Sequence, residues 1–488
     1  MVVSSGRSTD SYRAFPGWSL IGIVAGTLAA TVAIPEFELA AMGSLRVSGI
    51  ALSLGLLLGV VTAGFRSPAA LFRAEHLLMF GLVYWVVLDA VQGGYELEGA
   101  SREALVGSMA SIGLFAAFLW IGSVLTWLII PLHPPARLPI NDLGPRFLFC
   151  AGIVCFVLGG MRVWVGCSLS PACIADSFDV SRAGRAAWMP EGGIGNWDTV
   201  LQNLRYFGYL TLPFAVALHR LQRRFGWPVL LLISFGLINL ILSTAGGNRR
   251  STGTIVGATA LTWILLHPKI SLRHLLILSG VAAALLLFLQ AVVLWRHSGF
   301  ERSFEAGKPI FSEERPGIIV DRNLYWLGQV LTMVPDYHPY IGSTGIVAIV
   351  SAPIPRSLFP SKPINRGIDL VTFTGQQGNK GFTWTCSAVG DLYLIGGYAA
   401  IIIGGLVYGL LANLCSRLLW WPSRLTGRLL FAVSAMALFV GLRDLSEIVL
   451  TGVAFLCLWG LFFAREKLLP RGRSSPAPVG SSESSQAC

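Results

Sequence analysis

The chain has 488 residues, of which 54% are apolar and only 12% charged, with a formal net charge of +11 and a mean hydropathy of +0.67. A soluble domain carries roughly 25% charged residues and has no place to hide this much apolar surface. Lys and Arg stand singly between apolar runs instead of gathering on one polar segment, which argues against a nucleic-acid partner and makes the positive charge a topology signal.

In chain order, residues 1–15 are polar. The apolar run 17–34 exceeds the core of a signal peptide and no small-residue cleavage site follows it, so it predicts a first membrane span. Further runs fall at 47–65, 76–92, 104–131, 147–166, 203–218, 227–244, 251–267, 274–295, 386–412, 427–442 and 445–464. Each approaches the roughly 20 residues that cross a hydrocarbon core of about 30 Å. The pattern predicts an all-α polytopic membrane protein with about twelve transmembrane helices. Residues 1–295 would hold spans one to nine, 296–385 a long loop, 386–464 spans ten to twelve, and 465–488 a disordered Ser/Pro-rich tail. Inside the loop, 324–334 and 341–354 are apolar but too short to span, and predict interfacial or re-entrant helices.

Cytoplasmic connections carry the excess of Lys and Arg. One alternate set holds Arg66 and Arg73, Arg137 and Arg146, Arg220, Arg223 and Arg224, Lys269 and Arg273, and Arg417, Arg424 and Arg428. The tail adds Arg465, Lys467, Arg471 and Arg473. Opposite loops are poor in cations, as where Glu96, Glu98 and Glu103 face Arg102 alone. Both termini are therefore expected in the cytoplasm and the 296–385 loop outside. Most of the eight cysteines are scattered, and no metal-ligand spacing appears. Cys167 and Cys173 bracket a short polar stretch just after a span, and can pair if that loop is extracytoplasmic.

Cations on the outer side are not explained by insertion bias. Arg249 and Arg250 follow Gly246, Gly247 and Asn248 in a tight outer connection, where glycines let a ligand approach the backbone. Arg162, Arg205, Arg296 and Arg443 stand near the same face. One such arginine alone reads as a snorkelling side chain at headgroup level. Six together imply an anionic partner, and paired guanidiniums suit phosphate or diphosphate, because each planar fork donates two parallel charge-assisted hydrogen bonds. Two further clusters belong to this side. Ile354-Pro355-Arg356 through Pro360-Ser361-Lys362-Pro363 holds two cations at a separation fixed by prolines. Asp391, in Ser387 to Gly397, is an intramembrane carboxylate near the outer end of a span, and such a residue is functional by default.

Gly-Gly-Asn-Arg-Arg at 246–250, Ile-Pro-Arg…Pro-Ser-Lys-Pro at 354–363 and Ser…Val-Gly-Asp-Leu-Tyr…Gly at 387–396 together resemble the Wzy-type O-antigen and oligosaccharide repeat-unit polymerases. The likeness covers roughly 240–450, with earlier residues matching only as a string of spans. It implies a glycosyltransferase of the GT-C type in the bacterial inner membrane, with both termini cytoplasmic and its active site facing the periplasm. Such an enzyme moves a growing glycan from one undecaprenyl diphosphate carrier to a lipid-linked repeat unit on another. It uses no cofactor, and needs no metal if guanidiniums meet the charge of the leaving diphosphate.

Besides lipid-linked oligosaccharides and the bilayer, a chain-length regulator is an expected partner; nucleic acid is not. By position Arg249 and Arg250 would contact diphosphate, and Arg356 and Lys362 would shape the loop over the site. Asp391 stands where the family often has Glu. The proton of the acceptor hydroxyl needs a base, with Asp391, His338, Asp336 and Asp321 the outer candidates and Asp391 ranked first as essential, as base or as organiser. The alternatives are an O-antigen ligase or related lipid-linked-glycan transferase, which shares the donor, and a flippase or transporter, which should carry mid-membrane charges on several helices.

Overall fold

The structure is a computed structural model and describes residues 16–34, 42–92, 101–130, 143–174, 197–245, 249–267, 270–298, 317–363, 385–420 and 424–468. Among them, every regular element is helical. The chain begins with α1 (Pro16–Val32), α2 (Met42–Arg66), α3 (Ala74–Gln92), α4 (Arg102–Ile129) and α5 (Pro145–Gly166). Next, α6 (Trp197–Leu204) runs through a 3-10 turn at Arg205–Leu210 into α7 (Thr211–Gln222). After these come α8 (Trp227–Ala245), α9 (Arg249–Leu265) and α10 (Leu272–Ser298). The last third holds α11 (Asn323–Met333), α12 (Ser343–Val350), α13 (Ser387–Arg417), α14 (Arg424–Gly441) and α15 (Leu445–Leu468).

Local chemistry sets several boundaries. Ser101 caps α4, its hydroxyl accepting from the Ala104 amide at 3.1 Å, while Pro145 opens α5 at a position where its missing N–H is not needed. Arg223 ends α7 in the left-handed conformation, with φ of 55°. Among the described residues, seven helices are long and apolar enough to cross a bilayer: Leu45–Arg66, Ala74–Gln92, Arg102–Ile129, Pro145–Gly166, Trp227–Thr244, Leu272–Val293 and Ser387–Arg417. Gly17–Val32, Leu425–Gly441 and Leu445–Ala454 are apolar but shorter. The protein is thus a multi-pass helical membrane protein.

The two other apolar runs give weaker elements. The run 203–218 is broken by the 3-10 turn, and α7 keeps 12 residues, about 18 Å of helix at about 1.5 Å per residue. In α9, two arginines and several Ser and Thr side chains dilute the apolar surface.

Packing is densest between α4 and α13. A Cβ at Gly409 would fall on the Leu119 carbonyl, and one at Gly405 would lie 2.8 Å from the Phe115 carbonyl, so these glycines let the two backbones touch. One core gathers α1 to α4, α11, α13 and α14. A second gathers α5, α7 and α8, with α9 and α14 shared between the two. Segment 324–334, apolar but too short to span, forms α11. Leu324, Trp326, Leu327 and Val330 of α11 are all buried, forming the face that packs on α4 and α13, while Thr332 stays exposed. Helix α12 instead leaves Ile346 and Val350 exposed.

Helix α13 is interrupted at Gly396 and Gly397, the latter with φ of 65°, a conformation that glycine adopts without strain. The break releases the Leu394 and Ile395 carbonyls, which accept from the Ile341 and Gly342 amides at 2.9 and 3.0 Å. The chain entering α12 is thereby stitched to α13. Cys167 and Cys173 form the disulfide that their spacing permits, with Cα atoms 5.6 Å apart, closing the turn after α5.

Candidate functional site

Helix α9 starts on Arg249 and Arg250, two cations at a helix N-terminus whose partial charge is positive. Their placement therefore demands anions, and the fold supplies two. Arg249 donates to the Asp321 carboxylate at 3.2 Å and to the Ile319 carbonyl. Arg443, in the turn between α14 and α15, donates through Nε to the other oxygen of Asp321. One carboxylate thus holds two guanidiniums. Burial works against the Arg443 charge, and Asp321 overrides it, holding that guanidinium above the ordinary arginine range.

Arg250 turns to Glu447, in the first turn of α15. The Tyr206 hydroxyl donates to the same carboxylate at 3.5 Å. Arg205 donates to that hydroxyl at 3.2 Å and lies over the Tyr206 ring, 5.0 Å from its centroid. The Tyr209 hydroxyl donates to Ser251 at 2.6 Å. The Nε donors of Arg205 and Arg250 are both buried without a hydrogen-bond partner among the described residues. Since Arg249 and Arg250 are consecutive, and Arg443 and Glu447 lie four residues apart, the two clusters form one assembly. It pits four arginines against two direct carboxylate partners.

Asp391 is buried and accepts from the Leu445 amide at 3.0 Å, capping α15, and from the Cys386 thiol at 3.4 Å. The Ala388 amide donates to the Leu442 carbonyl at 2.8 Å. Both contacts tie the start of α13 to the turn that carries Arg443. Asp444 accepts from the Ser446 amide and hydroxyl at 2.8 and 2.5 Å, a second cap on the same end.

The segment after α12 carries its own cations. Arg356 donates to the Lys362 carbonyl at 3.4 Å, and the Lys362 ammonium donates to the Ala352 and Ile354 carbonyls at 2.9 and 3.0 Å. Burial and, after it, the Arg356 charge hold that ammonium below the ordinary lysine range. Asn203 of α6, two residues before Arg205, donates to the Pro353 carbonyl at 3.2 Å, joining this segment to the arginine assembly.

The remaining expected residues lie further out. His338 follows α11 in a turn, its Nδ1 beside the Pro339 carbonyl at 2.6 Å. Arg162 stands near the end of α5, which packs on the turn carrying Arg205. Arg296 belongs to the last turn of α10, and its side chain lies outside the described residues, as do Gly246, Gly247 and Asn248.

Sequence reasoning missed Glu447 and Tyr206, whose charge and hydroxyl sit among apolar neighbours. It also missed a polar network at the opposite end of the bundle. There Glu75, at the start of α3, accepts from Arg73 at 2.9 Å, Ser123 at 2.9 Å, Ser416 at 2.7 Å and Asn413 at 3.4 Å. Arg417 donates to the Thr126 carbonyl and to Asn413, both at 2.9 Å. Carboxylates at both ends of apolar helices were the available signal. Fold and site together define a multi-pass helical membrane protein with a guanidinium-rich assembly at one end of its bundle. Comparison with protein-family models, curated proteins and solved structures finds no match.

Proposed function

We propose that the protein is a membrane glycosyltransferase of the GT-C type that polymerises oligosaccharide repeat units, moving a growing glycan from undecaprenyl diphosphate to a second lipid-linked unit. The arginine assembly is the observation that carries this reading. Asp321 and Glu447 bind three guanidiniums, and a fourth, Arg205, lies beside them on Tyr206; even with Asp444 acting on Arg443, arginines outnumber carboxylates among these side chains, which suits a multiply charged anion. Among the described residues Arg443 meets Asp321 through Nε, and its Nη groups can offer phosphate a bidentate contact. Arg249 is oriented by a carboxylate on one side and a carbonyl on the other, a preorganised donor of the kind that stabilises developing charge.

As the anomeric carbon–oxygen bond breaks, negative charge grows on the diphosphate, and fixed guanidiniums gain more from it than from the ground state. Asp391 serves as the organiser of the turn bearing Arg443. Twelve spans, cytoplasmic termini and a periplasmic site accord with the arginine-rich connections, since Arg66, Arg73, Arg223 and Arg417 lie at helix ends away from the assembly. The protein is reconstituted in vesicles with lipid-linked repeat units. The expected products are lengthened glycan and free undecaprenyl diphosphate, unchanged by EDTA. Glycan that crosses the bilayer at constant length would instead make the protein a transporter.

A further inference from the structure

Beneath the arginine assembly lies a carboxylate with no part in it. Asp89, near the end of α3, is 3% exposed, and neither of its oxygens has a hydrogen-bond partner among the described residues. Every other buried carboxylate in the described bundle is taken up: Glu75 by four donors, Asp391 and Asp444 by the start of α15, Glu447 by Arg250. An unpaired buried carboxylate gives a fold nothing and destabilises it.

Its surroundings point to the site. Segment 318–323 runs directly over this end of α3. Gln92, three residues beyond Asp89, accepts from the Ile318 amide and donates to the Ile318 carbonyl. The next carbonyl, Ile319, is the one that Arg249 grips, and Asp321 holds the arginine pair. Arg322 is the charged group that acts on Asp89, and Asn323 donates to the Trp85 carbonyl at 2.7 Å. Just before Asp89, α3 winds into a π-helical turn at Val83–Val87, a local irregularity frequent at functional sites. Tyr84 in that turn is in electrostatic contact with Arg249, Asp321 and Arg443.

We propose, resting on the transferase reading, that Asp89 is the proton-accepting residue of the transfer. Its carboxylate takes the proton of the acceptor hydroxyl, directly or through one water. The oxygen forms the new bond to the anomeric carbon, and the bond to the diphosphate breaks with its electron pair leaving on the phosphate oxygen.

The test uses the full-length protein in vesicles with lipid-linked repeat units from cells that make the polymer, comparing wild type with Asp89→Asn and Asp89→Glu. Binding is read separately with undecaprenyl diphosphate. Asn has the same shape and, among the described residues, no hydrogen bond to lose, so a role confined to packing predicts wild-type transfer. The expected result is intact folding and binding in Asp89→Asn, transfer lowered roughly 10²–10⁴-fold, and disappearance of the acid limb of the pH–rate profile, with Asp89→Glu partly restoring both. Wild-type rates in Asp89→Asn would overturn the assignment while leaving the transferase intact. Loss of binding along with transfer would also overturn it, in favour of a role for the Asp89 charge in holding the binding site through Arg322. Absence of transfer in the wild type would remove both readings at once.

Discussion

Asp321 is the residue on which the arginine assembly turns, because one carboxylate orients guanidiniums from α9 and from the α14–α15 turn. Asp321→Ala leaves two like charges side by side, and charge-assisted hydrogen bonds contribute about 1.5–3 kcal/mol. Stability against unfolding in detergent should therefore fall by that order, with a lower melting temperature, and transfer should fall with it. Asp391 poses a different question. Asp391→Asn keeps an oxygen for the Leu445 amide, whereas Asp391→Ala removes the cap, typically about 1 kcal/mol. At matched membrane levels, Asn is expected to keep most polymer formation and Ala to lose it. If Asn is as inactive as Ala, the charge of Asp391 belongs to the chemistry.

Among the helices, α4 and α13 set the geometry of the bundle through backbone contact at Gly405 and Gly409. Gly409→Ile should overpack that seam by about 1–3 kcal/mol and lower the unfolding temperature. Gly253→Ala should leave it unchanged, since an added Cβ there meets nothing within 4 Å. These elements were legible in the sequence as apolar runs, because a lipid-facing helix writes its identity in uninterrupted hydropathy. Less legible were elements made by partners far along the chain. Arg249 meets Asp321 72 residues away, and Arg443 meets it 122 residues away, pairings that tertiary packing creates and spacing does not encode. Segment 324–334 was legible only in part for a related reason: its length says only that it cannot span, while the burial of one of its faces depends on α4 and α13. The arginines themselves stood out, as outer cations break the charge rule; Glu447 and Asp89 did not, lying inside runs read only for hydropathy.

For the whole molecule, orientation and chemistry are coupled. Tyr337 and Leu358 are exposed at 85% and 70%, and cysteines placed there should react with an impermeant reagent in intact cells. A cysteine at Arg223 should react only after permeabilisation. The reverse pattern would put the arginine assembly in the cytoplasm. The central claim, that this assembly stabilises a leaving diphosphate, is tested most directly by polymer ladders from cells carrying Arg249→Ala, Arg250→Ala or Arg443→Ala at matched membrane levels. Removing one preorganised donor should slow polymerisation roughly 10²–10³-fold, and Lys should restore it only in part, since a point charge cannot replace a bidentate fork. Near-normal ladders from all three alanine variants would contradict the account.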